Sequence, residues 1–432
     1  MAMMLDRTAP DFEDAFARLL SDERAAGADV RDVVTDIIAD VRARGVAAVV
    51  ERTRMFDRWE ATAETLAFTP EEIDAASAEV PEDVRRALEL AADRIRAYHV
   101  RQMPENAEWT DPEGATLGWR WSPVDAAGLY VPGGLASYPS SVLMNAIPAR
   151  VAGVRDLVVC APTPDGTVNP AVLLAAKIAG VDRVFRIGGA QAVAALAYGA
   201  GPIPRVDKIT GPGNAYVAEA KRQVFGRVGI DMIAGPSEVL VIADKDNDPN
   251  WVAVDLLAQA EHDERAQSIL ITDDAAFGAA VEQAVERRLQ ALPRGAIAGA
   301  SWRAYGAVIT VETLADGADL ANRIAPEHLE LCVAHPEALL SEIRHAGAVF
   351  LGRHTPEAIG DYVGGPNHVL PTAGSARFSS GLSVLDFLKR TTTARLSAPA
   401  LAALGPAAET LAASEGLDAH GLSVALRREG AE

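Results

Sequence analysis

Cysteine is nearly absent from this chain: two in 432 residues, Cys160 and Cys332. A disulfide framework is excluded, and the apolar neighbours of both thiols predict burial. Basic residues are in deficit, 40 Lys and Arg against 60 Asp and Glu, for a formal net charge of -20. Such a surface repels nucleic acid and anionic membranes, so neither is expected as a partner. Long apolar runs are missing too, since no stretch approaches the roughly 20 residues that span a bilayer. The first residues, Met1 to Asp14, include acidic side chains and no apolar h-region, so no signal peptide is expected and the protein reads as cytoplasmic. There is no low-complexity segment, no clean internal repeat and no G-x-G-x-x-G.

What is present is a globular composition, 49% hydrophobic and 23% charged, in a chain too long for one core. Phe12, Phe16, Leu19 and Leu20, then Val33, Ile37, Val41 and Val49, recur at helical spacing, and 70–103 reads as two further helices. From Gly128 onward, short apolar strands alternate with helices. Val154 to Cys160, Arg183 to Ile187, Val239 to Ala243, Ser268 to Thr272 and Gly347 to Leu351 read as strands. Ala171 to Ala179, Gln191 to Tyr198 and Trp251 to Glu261 read as helices. This alternation predicts parallel sheets with helices on their faces. The expected fold is therefore α/β, with two incomplete Rossmann-like parallel-sheet domains and small helical appendages at both ends. The expected division is a helical segment 1–24, a first α/β domain from 25–127 plus 237–381, a second at 128–236, and a helical tail at 382–432.

Seven of the eight histidines lie between 262 and 420, and the candidate chemistry lies with them. Gln259 and His262 stand at i and i+3 near a helix end, where one metal ion could take both; a solvated amide and a helix C-terminal cation fit the same spacing. Glu327-His328 follows Ala325-Pro326. Carboxylate beside imidazole suits general acid–base work, but on spacing alone a capped helix start with a solvent-facing histidine suits the string better. Asp361 and His368 stand in a Gly- and Pro-rich loop, as a metal ligand and a substrate contact or as an Asx-type turn. Glu415 and His420 lie near the C-terminus, where a solvated tail is ordinary. Two glycine turns, Gly188-Gly189 before Gln191 and Gly211-Pro212-Gly213-Asn214, each follow a strand and open a helix, where main-chain N–H groups favour phosphate.

As literal strings these motifs resemble the histidinol dehydrogenase family. The matching blocks are Tyr138 to Asn145, Gly211 to Val217, Gly229-Ile230-Asp231 with Ala234 to Glu238, Gln259 to His262, Ala325 to Leu329, Gly360 to Pro371 and Leu385 to Lys389. They run in family order from about residue 30 to 425. The resemblance implies a zinc- and NAD-dependent dehydrogenase taking L-histidinol to L-histidine through the aldehyde, with two NAD and one water, as the last step of histidine biosynthesis. It places one zinc per subunit on Gln259, His262, Asp361 and His420, with His328 as base and Glu327 as activator of water. It places the substrate against Ser237, Gln259, His262, His328, Asp361, His368, Glu415 and His420, and NAD against Tyr130, Gln191 and Asn214. It implies a homodimer whose C-terminal tails complete each other's active sites. A relative oxidising another small polar alcohol would keep the ligands and change the pocket, whereas a binding protein on the same scaffold would form no NADH; His368 and Glu415 favour histidinol.

Overall fold

The structure, a computed structural model, describes residues 2–21, 30–133, 138–233 and 235–430. It is α/β, built on two parallel sheets and one small antiparallel sheet. The five-stranded parallel sheet runs, from edge to edge, Arg183–Phe185, Asp156–Cys160, Ala126–Tyr130, Lys208–Thr210 and Gly229–Ile230. The chain starts in the central strand, moves out to one edge, then returns to the other side. A switch point therefore lies between Ala126–Tyr130 and Lys208–Thr210, the position at which doubly wound sheets open a crevice at their carboxyl ends. The six-stranded sheet repeats this plan with Glu238–Ala243 first, Gln267–Thr272 and Ala307–Thr310 to one side, and His328–Cys332 and Ala348–Leu351 to the other. The strands Glu238–Ala243, Gln267–Thr272 and His328–Cys332 are buried along their whole length, the pattern of parallel strands covered on both faces.

Helix starts follow local chemistry. Asp248 accepts the Asn250 N–H and Pro249 occupies the first turn of Pro249–Ala260, the helix that carries Gln259. Asn214 accepts the N–H groups of Tyr216 and Val217 at the head of Ala215–Val224. Thr69 and Glu72 form a capping box on Pro70–Glu79.

Three sequence-based expectations change. Helices Arg31–Arg44 and Val46–Asp57 pack on one face of the five-stranded sheet, and Pro70–Glu79 and Glu82–Val100 on the other. Of the segment expected to join 237–381, the helices Arg31 to Val100 thus cover the sheet of 128–236 instead: their apolar stripes match the helices over that sheet, and helical periodicity alone does not say which sheet a stripe covers. The N-terminal segment is not helical alone, because Met3–Asp6 pairs in parallel with Ala307–Thr310 and extends the six-stranded sheet, ahead of helix Phe12–Leu19. The expected boundary at 24 and 25 falls outside the described residues. The tail, too, begins with a strand: Leu388–Arg395, rich in β-branched threonine, pairs antiparallel with Thr116–Pro123. It then forms two helices, Ala398–Ser414 and Asp418–Glu429. No helix among the described residues is long and apolar enough to cross a membrane.

Candidate active site

At the switch point of the five-stranded sheet, Tyr130 ends the central strand and its hydroxyl accepts the Gly189 N–H at 3.1 Å. Burial pushes this phenol up to about 12. Gln191, one turn into helix Gly189–Tyr198, is buried with neither amide atom hydrogen-bonded, although such groups are normally paired. Across the crevice Gly211 turns at φ 112°, and a Cβ there would lie 2.1 Å from the Tyr130 carbonyl oxygen, so only glycine fits. The turn is fixed from below. The Gly211 N–H donates to Asp231 at 2.8 Å, its carbonyl accepts from Lys221 Nζ at 3.0 Å, and buried Lys221 and Asp231 form an ion pair. Tyr130, Gln191 and Asn214 thus stand near the carboxyl ends of this sheet's strands beside the switch point, and the buried Gln191 amide is left without a protein partner.

The acid–imidazole cluster lies at the opposite, amino ends of strands in the six-stranded sheet. Helix Leu314–Ile324 ends at Ala325, whose φ of 52° is left-handed, a conformation costing an L-residue about 1 kcal/mol. That turn throws Pro326 and Glu327 directly into strand His328–Cys332, so the expected solvent-facing histidine at a helix start is corrected: His328 is 5% exposed. Its Nδ1 lies 2.9 Å from the Glu238 carbonyl oxygen. A carbonyl only accepts, so Nδ1 bears the proton and Nε2 keeps its lone pair. Nε2 is buried without a hydrogen bond and lies 3.7 Å from Glu357 Oε1. Glu327 accepts the Glu238 N–H at 2.9 Å and approaches His328 Nδ1 to 3.8 Å.

Electrostatics follow from this packing. Burial holds the His328 imidazole below its ordinary value of 6.5, with the charge of Asp361 opposing and those of His368 and His262 adding. Burial likewise raises Glu327 well above the ordinary 4.5, against the Glu238 N–H and with the charges of Glu238, Asp361 and Glu357. Behind them Glu330, within the same strand, accepts the Glu357 N–H at 2.6 Å. Desolvation pushes Glu330 up to about 8, Glu357 to about 9 and Asp255 to about 6.

The loop after strand Ala348–Leu351 folds into helix Glu357–Tyr362, which carries Asp361. His368 is 3.0 Å through Nδ1 from the Asp361 carbonyl oxygen. Gln259 is buried with Oε1 unpartnered, and His262 stands exposed just past the end of the same helix. Among the described residues, His328, Glu357 and Asp361 bring ligand atoms within 4.8 Å of one another. Of the four residues expected to hold a metal, that trio contains Asp361 only. Ser237 sits immediately before strand Glu238–Ala243, and its carbonyl accepts the Gln267 N–H. Glu415 and His420 are not brought to this cluster by any recorded contact of their own chain. They lie exposed at the turn of the terminal hairpin, and neither side chain has a hydrogen bond or ion pair.

Sequence reasoning missed Glu357, Glu330 and Asp255 as members of this cluster. Glu330 had the one available signal, a lone carboxylate inside an apolar strand string, Leu329 to Val333.

Two doubly wound sheets, a switch point on one and a buried imidazole flanked by carboxylates on the other, are the architecture of an α/β enzyme. A family model described as histidinol dehydrogenase matches residues 20–428, and the chain belongs to that family. It is 70% identical over 427 residues to histidinol dehydrogenase of Ruegeria pomeroyi, covering 99% of both chains. It is also 70% identical over 427 residues to that of Cereibacter sphaeroides, covering 99% of this chain and 98% of the relative. A crystal structure of histidinol dehydrogenase from Elizabethkingia anophelis superposes with a TM-score of 0.94 at 34% identity, over 99% of this chain and 98% of that one.

Proposed function

We propose that the chain oxidises L-histidinol to L-histidine through the aldehyde, reducing two NAD, as a cytoplasmic zinc-dependent homodimer. The observation that carries this reading is the state of His328: Nδ1 occupied by the Glu238 carbonyl, Nε2 unprotonated, buried and unbonded in a cluster with the carboxylates of Glu357 and Asp361. That is a general base held ready for one proton. Zinc is supported by the donor set. Gln259 offers a buried, unpartnered carbonyl oxygen, Asp361 a carboxylate and His262 an imidazole, a mixed N/O set suited to that ion. His420 completes the set from the tail. Bound zinc would hold and orient the amino alcohol, and NAD, held by Tyr130, Gln191 and Asn214, would supply the hydride acceptor.

His328 takes the alcohol proton at Nε2 as the carbinol C–H bond breaks, giving the aldehyde. Glu327, once ionised, is a stronger base than an ordinary carboxylate because burial disfavours its charge. It removes a proton from water as the oxygen adds to the aldehyde carbon, and His328 serves again as the hydrate is oxidised. Ser237, His368 and Glu415 orient the substrate.

The test is stoichiometry: purified protein with zinc should form two NADH per histidinol and yield histidine. No NADH formation by folded, zinc-loaded protein overturns the reading; one NADH with aldehyde release overturns the role given to Glu327.

A further inference from the structure

Ser141 and Asn145 belong to the motif Tyr138 to Asn145, and nothing above gives them a task. Both are buried on helix Pro139–Ala152, which leaves the central strand of the five-stranded sheet at the switch point. Asn145 Nδ2 donates to the Ser141 carbonyl oxygen at 2.8 Å, and Asn145 Oδ1 accepts the Thr210 hydroxyl at 2.8 Å. Thr210 is the last residue of its strand, directly before the Gly211 turn. At the other end the Ser141 hydroxyl lies 3.2 Å from His368 Nε2, and His368 Nδ1 lies 3.0 Å from the Asp361 carbonyl oxygen. The same helix holds the His368 loop a second time, through Asn367 Nδ2 and the Met144 carbonyl oxygen at 2.6 Å.

For a neutral imidazole these bonds have one consistent proton assignment. The Asp361 carbonyl can only accept, so His368 bears its proton on Nδ1. Nε2 then accepts, and Ser141 is its donor. Asn145 uses both halves of its amide, one toward the Gly211 turn and one toward the Ser141 backbone. A buried polar chain of this kind is stabilising only when every member is satisfied, which makes it a geometric lock. An apolar side chain at 145 would pack the helix without linking the two sheets' sites.

We propose that Ser141, Asn145 and Thr210 are positioning residues: Ser141 holds Nε2 of the ring whose Nδ1–H the Asp361 carbonyl keeps, and Asn145 and Thr210 tie the same helix to the nucleotide turn at Gly211. The contact of His368 with substrate rests on the function proposed above; its hydrogen bond to Ser141 does not.

The experiment uses the full-length, zinc-loaded enzyme with ¹⁵N-labelled histidine, the His368 signals being assigned by their loss in His368→Asn. In Ser141→Thr, which keeps the hydroxyl, the Nε2 shift should stay at its wild-type value. Ser141→Ala should move the Nε2 shift, because that nitrogen loses its donor while Nδ1 keeps its proton, and raise the KM for histidinol about tenfold, the scale of one lost hydrogen bond, with kcat and the KM for NAD changed less than about twofold. Asn145→Leu should raise both KM values, because it cuts the tie in the middle. Each variant's melting midpoint separates these effects from misfolding. An unchanged His368 Nε2 shift in Ser141→Ala, or failure of Ser141→Thr to retain wild-type values, overturns the proposal. If wild type does not oxidise histidinol, the proposed activity falls and the Nε2 comparison alone decides this inference.

Discussion

Nδ1 of His328 donates to the main-chain oxygen of Glu238 at 2.9 Å, so the base is aimed by a strand rather than by another side chain. Parallel pairing of His328 with Val239 fixes that register. Replacing the imidazole with an amide therefore leaves the scaffold intact and removes only the proton acceptor. His328→Asn should slow oxidation of both alcohol and aldehyde by about 10²–10⁴-fold. Glu327→Gln should slow aldehyde oxidation more than alcohol oxidation, since only that step needs an activated water. Single-turnover assays started from each substrate separate the two, and equal losses in both steps for both variants would argue against separate roles. Because burial lowers the His328 pKa from 6.5, the acid limb of kcat/KM for the alcohol step should fall with a midpoint below that value.

The fold class was legible because strands and helices alternate, and the five strands named from the sequence are found to within a few residues at each end, while others, Lys208–Thr210 and His328–Cys332 among them, were not named. Local strings also located Glu327, His328, Asp361 and His368 as candidates. What periodicity could not supply was partnership. Arg31–Asp57 reads equally well against either sheet, and its placement depends on Val34, Ile37 and Val41 meeting Ala192 to Ala197 across the chain. The rear of the site was hidden for the same reason. Glu330 and Glu357 are 27 residues apart, and their 2.6 Å contact exists only because strand Ala348–Leu351 pairs beside His328–Cys332 and the helix that follows it starts at Glu357. A carboxylate in an apolar string announces burial without naming its partner.

That buried acid cluster makes a prediction about stability. The ordinary value of 4.5 for a glutamate is raised to about 8 in Glu330 and about 9 in Glu357. Below 4.5 both folded and unfolded chains hold these protons. As pH climbs, the unfolded chain releases them first, so stability is lost progressively between about 4.5 and 9. Metal-free protein should therefore melt at falling temperatures across that window. Glu330→Gln, which keeps an oxygen for the Glu357 N–H, should flatten the slope. An equal slope in wild type and variant would show that Glu330 is already ionised in the fold.

Zinc gives a prediction with a readout beyond turnover. Gln259 on one helix, His262 just past its end and Asp361 on another share no local hydrogen bond, so a common ion would crosslink separate elements and raise the melting temperature. Chelation should abolish activity and lower the midpoint, and added zinc should restore both. Asp361→Asn should blunt the zinc-induced shift. Active protein that contains no divalent ion by metal analysis would remove zinc from the mechanism.

The last prediction concerns where His420 and Glu415 act. The helices Ala398–Ser414 and Asp418–Glu429 pack on each other, and the second buries no residue at all. Leu411 at 62% and Leu426 at 58% exposure stand with the exposed Leu404, Leu417 and Leu422 on this hairpin, a concentration of exposed large apolar side chains that favours burial against another surface. A second copy of the chain is the natural cover, because docking across a two-fold axis repeats the same contact twice. Each tail would then deliver His420 and Glu415 to the partner's Gln259, His262 and Asp361. Mixing two inactive variants, His262→Ala and His420→Ala, reads this directly. In a heterodimer with shared sites, one site collects both lesions and the other collects neither, so up to half the sites of that species regain wild-type composition. Activity should return after co-refolding and scale with the heterodimer fraction measured by native mass spectrometry. If heterodimers form and no activity returns, each tail serves its own chain and the shared site is wrong.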